Sequence, residues 1–178
     1  MSSISCYQWP VVARQLYDKA LERYAAGERK AEAMFNDEET GLIASIGAKP
    51  IEFFDYAEDA RALPWESALL ILAVRRDYFM VIQKGNWEAP DKPCPFQDGP
   101  IPERDAELEG MRWLPRVIYK AEARLRGRLP REVMFSCGGD RAFFDRHDLH
   151  AADFLRFVWA AKGNHARIAA YVRKEITG

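Results

Sequence analysis

Cys137, Gly138, Gly139, Asp140 and Arg141 stand together in the run SCGGDR, where a thiol, a carboxylate and a guanidinium could serve nucleophilic or ligand-binding chemistry. A thiol ahead of a helix start is a setting in which cysteine nucleophiles occur. They also require a base and an oriented partner, which no sequence neighbour supplies, so a part-buried structural cysteine is the favoured reading of Cys137. The glycine pair offers backbone donors for phosphate, but the run lacks the GxxxxGK[ST] arrangement and no strand precedes it. His147 and His150 lie near Asp145 and Asp148 in DRHDLH, and imidazole with carboxylate suits several divalent ions. Asp148 reads more simply as a helix cap and His165 as a surface residue, so neither a metal nor a cofactor is expected. The basic run Arg116, Lys120, Arg124, Arg126 and Arg128, beside Trp113 and Tyr119, could hold an anionic ligand or RNA, with Arg116 and Arg124 as the anion contacts. Glu107 and Glu122 dilute it, and a solvated helix face explains it more simply. Asn36 to Glu39 is an acidic cluster suited to the positive end of a helix.

These groups must be positioned by helices. The 178 residues suffice for one well-buried core, since a domain of this size buries roughly 68–70% of its unfolded surface. A formal net charge of -1 leaves no broad footprint for nucleic acid or an anionic membrane, so nucleic acid is disfavoured. Three widely spaced cysteines, Cys6, Cys94 and Cys137, indicate neither a disulfide framework nor a zinc site, and reduced thiols fit a cytoplasmic protein. The start MSSISCYQWP does not read as an export signal, and the longest apolar run, Ala68 to Val74, is too short for a membrane span.

Apolar spacings of three and four predict a helix from Pro10 to near Gly27 carrying Ala13, Leu16, Tyr17 and Ala20. A short helix capped by Asn36 or Asp37 follows, with Leu42, Ile43 and Ile46 inward. A third should start at Pro50 and bury Ile51, Phe54 and Ala57. The run after Pro64 is ambiguous between helix and strand, and its length decides for a helix burying Trp65, Leu69, Leu72, Ala73 and Phe79. The Pro- and Gly-rich residues 85–109 read as a loop. Beyond them, Leu114, Ile118, Ala121 and Leu125 form the stripe of a helix over 114–128 that ends near Gly127. Gly138 and Gly139 sit in a turn where they permit positive φ, Asp140 and Asp148 are expected as caps, and Phe154, Phe157, Val158 and Ala161 inside the next helix. Asn164 should cap the last helix, which turns Ile168, Tyr171 and Val172 inward.

The halves 9–84 and 110–176 resemble one another. Lys19-Ala20 matches Lys120-Ala121, Met34-Phe35 matches Met134-Phe135, Glu52-Phe53 matches Asp153-Phe154, and Val74-Arg75-Arg76 matches Val172-Arg173-Lys174, at offsets of about 101, 100, 101 and 98, as a duplicated unit predicts. The expected fold is therefore all-α: about eight short helices in two similar four-helix halves packed into one domain.

The Leu-Pro-Arg entry at Leu114 to Arg116, the pair Lys120-Ala121, the step Asp140-Arg141 and the acidic-Phe start at Asp153-Phe154 carry a family resemblance. Over residues 98–176 the sequence resembles the bacterial family catalogued as domain of unknown function 5069. That resemblance implies a small helical protein without an established activity, and it brings no catalytic residues. An Asp often stands in that family where this chain has Tyr119.

The expectation is thus a binding or interaction module, taking a protein partner or a small molecule. The alternatives are a small enzyme or metabolite-binding protein, using a cleft between the halves lined by Tyr119, Lys120, Cys137, Asp140 and Arg141, or an RNA or anion binder using the basic face of 114–128.

Overall fold

The computed structural model describes residues 6–84 and 99–176, so Cys94 and most of the expected loop at 85–109 lie outside the described residues. The chain is all-α: eight α-helices are described, and a two-residue-per-strand hairpin is the only sheet among the described residues. No helix among the described residues is long and apolar enough to cross a membrane. The fold divides into two compact units between Met80 and Val81.

The first unit holds α1 (Trp9–Ala25), α2 (Asp37–Ser45), α3 (Pro50–Glu58) and α4 (Trp65–Tyr78), the last running on into a π-helical turn, Phe79–Gln83, across the boundary. α1 packs chiefly on α3 and buries Ala13, Leu16, Tyr17 and Ala20, as its periodicity predicts. Asn36 caps α2 in a reciprocal box: its side chain accepts from the Glu39 amide while the Glu39 carboxylate accepts from the Asn36 amide.

Two faces differ from their expectation. α3 buries Phe53 and Tyr56 in place of Ile51 and Phe54, because Phe35 and Tyr56 both meet Phe53 edge-on while Phe54 leans on the half-exposed Tyr24. α4 buries Ala68, Ile71, Leu72, Val74, Arg75 and Tyr78, so Leu72 alone of the expected stripe is buried. A run that is apolar all round gives no stripe from which to choose a face.

The second unit holds the hairpin β1 (Glu107–Leu108) and β2 (Met111–Arg112), then α5 (Leu114–Arg126), α6 (Gly138–Arg146), α7 (Ala151–Ala161) and α8 (His165–Val172). The hairpin falls where the sequence reads as loop and helix entry. Glu109 and Gly110 turn it with φ of 49° and 77°, the positive pair a two-residue hairpin turn requires. α5 packs on α7, and Leu114, Val117, Ile118, Ala121 and Leu125 are buried against a core that includes Phe154, Leu155, Phe157 and Val158. Each fully buried Leu or Phe contributes about 1.5–3 kcal/mol. α5 is no solvated basic face, for Lys120, Glu122 and Arg124 are also buried. Asn164 caps α8 through the Arg167 amide as expected, and Tyr171 stacks on Phe157 at 4.0 Å.

Two helices of each unit share a spacing. The starts of α2 and α6 (138 less 37) and of α3 and α7 (151 less 50) are each 101 residues apart. Asn36 and Cys137 hold the same N-cap position with nearly the same extended backbone, φ/ψ of -78°/177° and -64°/172°.

Candidate functional site

Asp140 is fully buried at the first turn of α6, and it draws a charged cluster around itself. Its Oδ2 accepts from Lys120 Nζ at 2.6 Å and from the Ser136 amide at 2.9 Å, and its Oδ1 accepts from Trp113 Nε1 at 2.9 Å. A buried carboxylate needs this many donors to offset its lost hydration. Lys120, in the second turn of α5, has a side chain 3% exposed and also donates to Cys137 Sγ at 3.2 Å. Arg141 donates to the Ser136 carbonyl at 2.6 Å, so Ser136 is held from both sides in a left-handed conformation, φ 69°.

The glycine pair therefore works differently from its expectation. Gly138 and Gly139 open α6, and the positive φ falls on Ser136. What requires glycine at 139 is Trp113: a Cβ there would sit 2.4 Å from the indole ring. Trp113 itself is left-handed, φ 74°, a strained choice for a large residue that places its ring over Gly139 and its N–H on Asp140. Asp140 does not cap α6 by the usual route. Cys137 holds the N-cap position without a side-chain bond, and Asp140 reaches back one residue further to Ser136.

Of the expected site residues, Lys120, Cys137, Asp140 and Arg141 come together, and Tyr119 does not join them. Tyr119 points to a separate cavity of about 530 Å³, whose named lining belongs wholly to the second unit. Pro100, Pro102, Leu108 and Pro115 give it an apolar wall, and Tyr119, Glu122 and His165 supply its polar groups. Two α5 side chains hold the wall in place: the Tyr119 hydroxyl donates to the Gly99 carbonyl at 3.1 Å, and Arg116 donates to the Pro102 carbonyl at 2.6 Å. Arg116 also lies over the Trp113 ring, whereas Arg124 is buried in α5.

At the cavity edge His165 Nε2 lies 3.1 Å from Glu122 Oε1; the Glu122 side chain is 5% exposed and that of His165 50%. The hydrogen bond to Glu122 raises the His165 pKa above the ordinary imidazole value, against the opposing effect of burial. His165 is exposed, as expected of a surface residue, and is also tied to Glu122. It is the first residue of α8, set there by the Asn164 cap, and its ring is hydrogen-bonded to a sunken carboxylate.

No family model, curated protein or solved structure matches the chain. Function must be read from geometry.

His147 and His150 are spent on structure. His150 Nδ1 caps α7 by accepting from the Ala152 amide, and the His147 ring packs on Phe143, where burial lowers its pKa. Asp148, the expected cap, stands at φ 50° and pairs with Lys174 instead. The signal for Glu122 was present in the sequence: it lies four residues after Ile118 and three before Leu125, on the apolar stripe itself. Nothing in the sequence pattern joins it to His165, 43 residues later.

Proposed function

We propose that the protein is a binding module that takes a small organic molecule in the cavity of the second unit. The ligand would present a largely apolar body to Pro100, Pro102, Leu108 and Pro115 and a hydrogen-bonding group to Tyr119 and the Glu122–His165 pair. The observation that carries this reading is a cavity of about 530 Å³, within the size range of small-molecule sites, combining an apolar wall with a few convergent polar groups. The Glu122–His165 hydrogen bond leaves the half-exposed imidazole at the cavity edge, where a polar group of the ligand can meet it.

The test is native mass spectrometry of full-length protein purified without denaturant, combined with NMR titration by small phenols and aromatic carboxylic acids. A retained mass, or shifts centred on His165 and Tyr119 that His165→Ala abolishes, supports the reading. No retained mass and no shift from any of these probes would overturn it.

The Glu122–His165 pair favours a second reading, a small acid–base enzyme in which the carboxylate orients the imidazole. Turnover lost in both Glu122→Gln and His165→Ala would favour it. Anion or RNA binding through Arg116 and Arg124 draws less support, since Arg124 is buried and Arg116 is engaged with Pro102. In the same reading the protein is cytoplasmic and bacterial, as its thiols and its resemblance to domain of unknown function 5069 suggest. A duplication would account for the 101-residue register of α2 with α6 and α3 with α7.

A further inference from the structure

Cys137 Sγ, Lys120 Nζ and Asp140 Oδ2 form a chain of two short contacts, 3.2 Å and 2.6 Å, with Nζ in the middle. The accessibilities are graded. Cys137 is half-buried, whereas the Lys120 and Asp140 side chains are 3% and 0% exposed. A small oxidant can therefore reach the sulfur from solvent, and the nucleophile that could trap the oxidised sulfur is already in contact behind it. The equivalent N-cap in the first unit is Asn36, which caps its helix; Cys137 makes no cap bond. A thiol here gives up that stabilisation and gains a neighbouring amine.

We propose that Cys137 and Lys120 are a redox modification site that closes to a sulfenamide, a direct S–N bond, when a peroxide reaches the thiol. In the first step the sulfur attacks one peroxide oxygen. The S–O bond forms, the O–O bond breaks, and the thiol proton leaves with the departing oxygen as water, so sulfur is oxidised by two electrons to a sulfenic acid and the peroxide is reduced. In the second step Lys120 passes one ammonium proton to Asp140 Oδ2 and its freed lone pair attacks the sulfur. The S–N bond forms, the S–O bond breaks, and the leaving hydroxide takes a second nitrogen proton as water. The ion pair becomes a neutral sulfenamide and a neutral carboxylic acid, leaving no unpaired charge in the buried site. Two thiol equivalents reverse it, the first displacing the amine to give a mixed disulfide and the second releasing the Cys137 thiol.

The experiment uses the full chain with Cys6→Ser and Cys94→Ser, so that Cys137 is the one thiol. After hydrogen peroxide, intact mass should fall by two hydrogens, and a digest of denatured protein should yield linked peptides containing Lys120 and Cys137, with no cleavage after Lys120. Dithiothreitol should restore the original mass, and Cys137→Ser should remove the response. Oxygen gained at Cys137 with trypsin still cutting after Lys120 would overturn the proposal. A second measurement needs no variant at the site. The Trp113 indole N–H, bonded to Asp140 Oδ1, should shift its NMR resonance as the carboxylate takes its proton; a bridge formed with that resonance unmoved would overturn Asp140 as the acceptor.

Discussion

Lys19 and Glu39 in the first unit, and Lys120 and Asp140 in the second, are both ion pairs spanning twenty residues from the first helix of a unit to the first turn of its second helix. The first is a part-buried pair, with side chains 33% and 16% exposed; the second is sealed at 3% and 0%. The first carboxylate also completes a capping box on Asn36, so losing its lysine leaves it bonded and near water. The second is one methylene shorter, bonds Ser136 and Trp113, and has no water to turn to. The same placement of charge is part-buried in one unit and fully buried in the other. The difference lies in what surrounds the pair, not in its spacing.

The largest way to break this comparison is to remove one lysine at a time. Lys120→Met leaves a buried carboxylate without its counter-charge and should cost about 3–5 kcal/mol in denaturant unfolding. Lys19→Met should cost less, roughly 0–1 kcal/mol, because Glu39 keeps its bond to the Asn36 amide and some contact with water. A smaller loss, about 1–3 kcal/mol, is expected for Gly139→Ala, because the new methyl meets the Trp113 ring at 2.4 Å and displaces a donor of Asp140. Its unfolding midpoint should fall although alanine favours helix, and an unchanged midpoint would show that Trp113 is not locked there.

Exchanging the N-cap residues sharpens the contrast. Asn36→Ala should lose about 1 kcal/mol, and Cys137→Asn, on nearly the same backbone, should gain a similar amount by giving α6 the cap it lacks. Thermal unfolding of the two variants reads both signs. The smallest effect is that of pH on the half-exposed His165. Its folded pKa is raised above 6.5, so the stability it contributes is complete below that value and fades as pH rises through the raised one. Unfolding midpoints taken on either side of that window should show this slope, and His165→Asn should flatten it.

Much of this architecture could be read from the sequence where local rules and packing agree. The stripes of α5 and α7, the caps Asn36 and Asn164 and the end at Gly127 follow from periodicity and capping chemistry. The faces of α3 and α4 did not, since Ile51, Phe53 and Phe54 satisfy a helical stripe in more than one rotation and only their aromatic neighbours choose. Lys120, Cys137 and Asp140 were legible as a group, but their burial was not, because it depends on Trp113 folding back over Gly139. Glu122 with His165 was missed, as the pair exists only once α8 is placed beside α5.

The most direct measurement is a pair of double-mutant cycles, Lys19→Met with Glu39→Gln and Lys120→Met with Asp140→Asn, followed by denaturant unfolding. The part-buried pair, still in contact with water, should couple by roughly 0.2–1 kcal/mol. The sealed pair should couple several-fold more strongly, on the scale of about 3 kcal/mol set by an uncompensated buried charge. Equal coupling in the two units would contradict the account, for it would mean that full burial does not distinguish the charge cluster beside Cys137 from its part-buried counterpart.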